Sequence, residues 1–241
     1  MTRGRYTWRI IGFIFKGLCT ALIVGVFGLL FWRIIDSKID PKEIKGITPN
    51  ETLCSAYTEN EEKLTIFTQE QQIFTRAEHN EGYFAVTEAH FIKEAEQLQF
   101  TLRYNNSTIE HLVTDFSLNR LPSREEELYD VTVLIAYDLT PENDEDNDGN
   151  DPESVRFERF YPSDMSKAQK TVYNYRKFTF DSIEITDDVL AVYVDIYYVG
   201  HIAYDEDAYG ALLLYDYATT TEYRSLKNSE RKLIKAYIKD N

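Results

Sequence analysis

Cysteine, tryptophan and glycine are scarce in this chain, and positive charge is scarce once its first 45 residues are past. There are two cysteines among 241 residues, Cys19 inside an apolar run and Cys54 beyond it, so they offer no useful disulfide. An outer domain without such staples is ordinary in a bacterium and unusual in a secreted eukaryotic module. Glycine numbers ten and never gathers into a phosphate-cradling loop. The shortage of basic residues is regional. Residues 1–45 hold eight Lys/Arg and three Asp/Glu, whereas residues 46–241 hold 18 and 38, a net charge of −20. A field of that sign argues against nucleic acid and against docking on anionic lipid. It suits a basic protein partner, or plain solubility.

Catalytic motifs are missing too. His79, His90, His111 and His201 form no HExxH and no close pair. GxSxG does not occur. One SxxK does, from Ser229 to Lys232, without the SDN or KTG that would accompany it in a serine acylase, and Ser229 reads as a helix cap. Cys54 is a lone thiol on an expected helix, better read as a packing residue. With 41 acidic residues, carboxylate pairs arise by chance and diagnose nothing. The chain reads as non-catalytic; an envelope enzyme with an unrecognised site is the contrary reading.

What is present begins at residue 10. Residues 10–35 are apolar enough to span a bilayer, which takes roughly 20 such residues. Lys16 and Arg33 bracket the uninterrupted stretch and can extend their charges to the headgroups. Trp8 and Trp32, the only tryptophans, lie near the two ends, where amphipathic rings favour the interface. Arg3, Arg5, Arg9 and Lys16 precede the core of the span with no acidic residue among them, which places the amino terminus in the cytoplasm and the large domain outside. No small-x-small cleavage site follows, so the segment reads as an uncleaved signal anchor. The expected organisation is a cytoplasmic tail over 1–9, a transmembrane anchor over 10–35, a juxtamembrane stalk with a short helix over 36–62, and an extracytoplasmic domain over 63–241.

Within the stalk region, Thr48 followed by Pro49 and Glu51 predicts a helix start, with Leu53, Ala56 and Tyr57 as its buried stripe. From Lys63 the hydrophobic period changes to two. Leu98, Phe100, Leu102 and Tyr104 alternate with Gln97, Gln99, Thr101 and Arg103, the pattern of a strand with one wet face. Residues 191–198 are apolar on both faces and predict a central strand. Further strands are expected over 64–68, 83–92, 131–137, 155–160, 172–185 and 211–217, with a bulge or the switch of one strand into another at Arg176-Lys177 and turns at 80–82, 105–107 and 186–188. Asn228 or Ser229 would cap a final helix with the stripe Leu233, Ile234, Tyr237 and Ile238, packed on the sheets. No βαβ alternation appears, which argues against a Rossmann or barrel enzyme. The predicted fold is mainly β: a transmembrane helix, then an antiparallel β-sandwich of immunoglobulin-like arrangement with short flanking helices.

Two places are candidates for binding. Asp144, Asp146 and Asp148 before Gly149 match the opening of a calcium loop, in which alternate oxygen ligands are followed by a glycine turn. The match fails at the twelfth position, where Val155 stands in place of a bidentate Glu. The competing reading is a solvated acidic loop between two strands. The second place is the polar loop flanked by aromatics around Tyr204, Asp205 and Tyr209, in a last third that is rich in tyrosine. Asn50, Asn105 and Asn106 also begin glycosylation triplets, which matter only in a glycosylating host.

The last third carries a family resemblance. Phe178-Thr179-Phe180-Asp181, the run Val192-Tyr193-Val194-Asp195-Ile196-Tyr197-Tyr198, then Tyr204-Asp205 and Tyr209-Gly210, resemble the TipC family of immunity proteins. That resemblance spans about forty residues and carries no site residue or fold with it. It implies a membrane-anchored protein of a Gram-positive bacterium that neutralises a secreted toxin outside the cell. Other expected partners are an envelope protein or glycan. A third reading is a transmembrane regulator acting through helix association, because Gly17, Ala21, Gly25 and Gly28 form a small-residue face.

Overall fold

A computed structural model describes residues 3–38, 41–69, 73–74, 82–139, 155–202, 204, 208–216 and 223–241. The chain divides into two compact units, residues 1–40 and 41–241. The first is one helix, α1 (Arg3–Lys38). Its segment Phe13–Ile35 is 23 residues long and apolar enough to cross a membrane. At 1.5 Å per residue that is ~34 Å, against a hydrocarbon core of about 30 Å. The apolar side chains from Phe13 to Ile35 are exposed. Within α1, the Thr20 hydroxyl donates to the Lys16 carbonyl at 2.9 Å, which satisfies the hydroxyl inside the apolar stretch.

The second unit is mainly β, with two antiparallel sheets. Its strands are β1 (Thr65–Gln69), β2 (Ile73–Phe74), β3 (Phe84–Ile92), β4 (Gln97–Asn105), β5 (Tyr129–Asp138), β6 (Val155–Phe160), β7 (Asp164–Gln169), β8 (Tyr173–Phe180), β9 (Val189–Tyr198), β10 (Gly210–Asp216) and β11 (Tyr223–Ser225). One sheet runs β11-β1-β3-β4-β8-β7, with β2 also paired to β3; the other runs β10-β9-β5-β6. Alternation explains how they stack. Phe84, Leu98, Phe100, Leu102, Phe178 and Phe180 from the first sheet meet Val131, Val133, Ile135, Val192, Val194 and Ile196 from the second in one apolar core.

Two corrections concern polar residues. β8 carries no bulge at Arg176-Lys177, because its register against β4 runs unbroken from Leu98↔Phe180 to Asn105↔Tyr173. Arg176 and Asn174 occupy core-side positions opposite Leu102 and Tyr104. They are tolerated there because the Arg124 carbonyl accepts from Arg176 Nη2 at 3.2 Å and Arg124 Nε donates to Asn174 Oδ1 at 3.0 Å. The second correction is that the other face of β4 is not wet: Gln97, Gln99 and Thr101 are all buried. A strap formed by residues 41–50 covers them.

The strap steps along β4 two residues at a time. Thr101 donates to the Ile44 carbonyl at 3.4 Å; Gln99 accepts from Thr48 N at 2.7 Å and donates to Thr48 O at 2.8 Å; Gln97 donates to Asn50 Oδ1 at 3.2 Å. Thr48 is thereby committed to the sheet. Asn50, whose Oδ1 accepts from Leu53 N at 2.9 Å, caps α2 (Glu51–Glu59) in place of the expected Thr48. The region expected as a stalk therefore belongs, from Pro41 onward, to the β unit.

The 105–107 turn is also revised. Asn105 Oδ1 accepts from Thr108 N at 2.8 Å and opens a helix, α3 (Asn106–Asp115), which buries Thr108, Ile109 and Leu112. The last helix, α4 (Asn228–Asp240), is held at its start by Glu230, which accepts from Lys227 N at 2.6 Å, in place of a cap from Asn228 or Ser229. Its buried stripe is narrower than expected. Ile234 and Tyr237 join Ile47, Leu53, Tyr57, Ile66 and Ile92 in a second apolar cluster, whereas Leu233 and Ile238 face solvent.

Candidate partner-binding face

In the four-stranded sheet, the positions that alternate with the core residues form an outer face. Asp130, Thr132, Leu134 and Ala136 of β5 lie opposite Tyr197, Asp195, Tyr193 and Ala191 of β9, and Leu134 and Ala136 lie opposite Arg159 and Phe157 of β6. Arg159 organises one half of this face. Its Nη1 donates to Thr132 Oγ1 at 2.8 Å and to the Tyr197 hydroxyl at 3.0 Å, and it lies 3.4 Å from Asp195 Oδ2. The guanidinium also sits 5.5 Å from the Tyr197 ring centre and 5.4 Å from that of Tyr204. Tyr204 meets Tyr197 edge-on at 5.1 Å and Tyr161 at 5.9 Å, and its hydroxyl donates to Asp130.

The charge states follow from these contacts. The hydrogen bond to the Asp130 carboxylate, aided by burial, pushes the Tyr204 phenol up to about 12. Burial raises the Tyr197 phenol, opposed by the bond from Arg159. Both rings are neutral hydrogen-bonding groups at pH 7, and Arg159 and Asp195 neutralise each other beneath them. Phe157 on this face is 58% exposed, and Tyr161, beside the Arg159 cluster, is 55% exposed. Rigid aromatic area around a satisfied polar centre is the composition of a binding surface.

Tyr204 and Tyr209, both singled out in the tyrosine loop, lie on different sides of the sheet. Tyr204 stands over the outer face. Tyr209 packs against the interior: its hydroxyl donates to Asp115 at 2.7 Å, and its ring lies parallel to Tyr129 at 6.4 Å and 5.2 Å from Phe116. Burial, then the bond to Asp115, raise its phenol far above the usual range. Asp205 lies outside the described residues, as do Asp144, Asp146 and Asp148 of the calcium-loop reading. Among the described residues no group of three or more His, Cys, Asp or Glu side chains could hold a metal.

Arg159, Asp130, Asp195, Thr132 and Phe157 were missed as site residues. The signal available was Asp195, a carboxylate at the centre of an apolar strand, which must find a partner across the sheet. No family model matches the chain, and neither a curated protein nor a solved structure matches it.

Proposed function

We propose that this is a single-pass membrane-anchored protein whose extracytoplasmic β unit is a non-catalytic protein-binding module. The observation that carries this reading is the exposed aromatic rim on the outer side of the β10-β9-β5-β6 sheet, where Phe157, Tyr161 and Tyr204 lie around the Arg159 cluster. A basic secreted toxin is the partner we favour: the module carries −20 beyond residue 45, and an anchor with its domain outside meets a toxin before it reaches the membrane. The immunoglobulin-like arrangement is supported by strand order. The orders β3-β4-β8-β7 and β10-β9-β5-β6 correspond to the A-B-E-D and G-F-C-C′ sequences of that architecture, with β1, β2 and β11 added beside β3. A second reading, a regulatory or envelope-assembly subunit associating through α1, is favoured by the helix's exposed face: a Cβ at Gly17, Gly25 or Gly28 would meet nothing within 4 Å.

The test is a photo-crosslinking residue placed at Phe157 in the full-length protein in its own membrane, with the same probe at the exposed Ser166 as control. A protein adduct specific to the Phe157 probe supports the reading. Equal adducts at both positions, or none, overturn it.

A further inference from the structure

We propose that Pro41–Gly46 is a latch: it leaves the sheet as a unit while the rest of the domain stays folded, and its departure lets Glu88 and Lys177 pair with each other. The proposal rests on the anchored-module reading, since the latch sets how much free chain follows α1.

A bulge between Val86 and Glu88 turns Glu88 to the strap side of its sheet, in one row with Thr101 and Lys177 across β3, β4 and β8. Gly46 lies between the two charges. Its N–H donates to Glu88 Oε2 at 2.8 Å, and its carbonyl accepts from Lys177 Nζ. The strap's main chain therefore substitutes for a direct ion pair. Glu88 and Lys177 sit two strand spacings apart, about 10 Å, a gap their side chains can close together. When the strap leaves, each charge exchanges a backbone partner for the opposite charge. The other Glu88 oxygen lies 3.3 Å from His90 Nε2 and need not move.

Residues 41–46 bond three polar groups of the floor, Glu88, Thr101 and Lys177, and carry the buried Pro41 and Ile44, whereas Gln97 and Gln99 stay bonded to Asn50 and Thr48 beyond the latch. Release hydrates Glu88, Thr101 and Lys177 and exposes Ile44, which belongs to neither apolar cluster, so the core between the sheets stays closed. Release stops at Ile47, which is fixed in the second apolar cluster with Leu53, Tyr57 and Ile234. Gly46, at φ +75°, takes a left-handed backbone conformation at that boundary. Six residues freed in this way add about 20 Å of extended chain between α1 and the domain.

The test is amide hydrogen exchange of the full-length protein in nanodiscs, wild type against the double variant Glu88→Gln with Lys177→Gln. Glutamines can still accept from and donate to Gly46, yet they bury no charge and form no ion pair once the strap is open. Wild-type amides of residues 43–46 should exchange at least about 100-fold faster than those of β4 and β8. In the double variant that exchange should slow by about tenfold. Strap amides as protected as β4 in the wild type would overturn the latch, and so would an unchanged or faster strap in a folded double variant. If the variant does not fold, the wild-type ratio still decides. Labelling of the domain from each side of the membrane tests the anchored reading separately.

Discussion

Arg224 and Glu230 meet in a two-bond fork, Nη1 to Oε2 at 2.8 Å and Nη2 to Oε1 at 2.7 Å, and the same carboxylate accepts from Lys227 N at the start of α4. One side chain thus ties β11 to the last helix and caps that helix. Glu230→Ala should destabilise the β unit by about 2–3 kcal/mol, because a partly buried guanidinium loses its carboxylate and keeps only its bonds to Thr68 and Ser225. Both tryptophans precede residue 33, so the melt should be followed by near-ultraviolet dichroism of the tyrosines, not by tryptophan emission.

Acid should act through Glu88. Burial raises its carboxyl, but the bond and charge of His90, the Gly46 N–H and the Lys177 ammonium outweigh burial and hold it at about 2. A group depressed on folding stabilises above its unfolded value, ~4.3, and that contribution fades as pH falls towards 2. Glu88→Gln should flatten the stability profile in that window, as read by urea melts at stepped pH.

Base should act in the opposite sense through Lys177. Burial lowers its ammonium to about 8, although Glu88 opposes the shift. Between pH 8 and its unfolded value near 10.4 the unfolded chain binds the extra proton, so stability should rise with pH. Lys177→Met should abolish that rise in the same urea series.

The core prediction contrasts two apolar residues. Phe100 is fully buried and stacks on Phe180 at 5.5 Å, so Phe100→Ala should cost about 3–5 kcal/mol. Leu233→Ala, on the exposed face of α4, should stay within about 0.5 kcal/mol. A large loss at Leu233 in a thermal melt would mean that this face is covered.

Arg159→Ala should cost about 1–3 kcal/mol and abolish the Phe157-probe adduct, because Asp195 is left nearly buried without its cation. Arg159→Lys should restore little of either, since an ammonium does not reproduce the planar guanidinium that reaches Thr132 and Tyr197 together. Thermal melting and adduct yield check the two effects.

Period-two alternation was enough to find β4, β5 and β9, because each buries an apolar row. It failed at β7, whose Asp-Met-Ser-Lys-Ala-Gln has almost no apolar row and is held by pairing with β8. Helix α3 was hidden because Asn105 looks the same to a sequence reader as a turn residue or as a cap. The wet face expected for β4 was the costliest error. Glutamines and threonines read as solvent-facing, and only the fold reveals that a second segment supplies their hydrogen bonds. At the candidate face, Tyr204 was legible as an aromatic beside a polar loop. Arg159 was not, since its partners come from strands about 27 to 38 residues away in sequence.

The interleaving of the two sheets has a consequence for biosynthesis. Leu98 pairs with Phe180, and Tyr129 pairs with Tyr198. The hairpins β3–β4 and β5–β6 therefore emerge early, each with its inner row uncovered. Neither layer is complete until β8 and β9 arrive some 70 to 80 residues later. Closure is slow for such distant pairings, and apolar surface stays exposed to aggregation until the final quarter of the chain has been made.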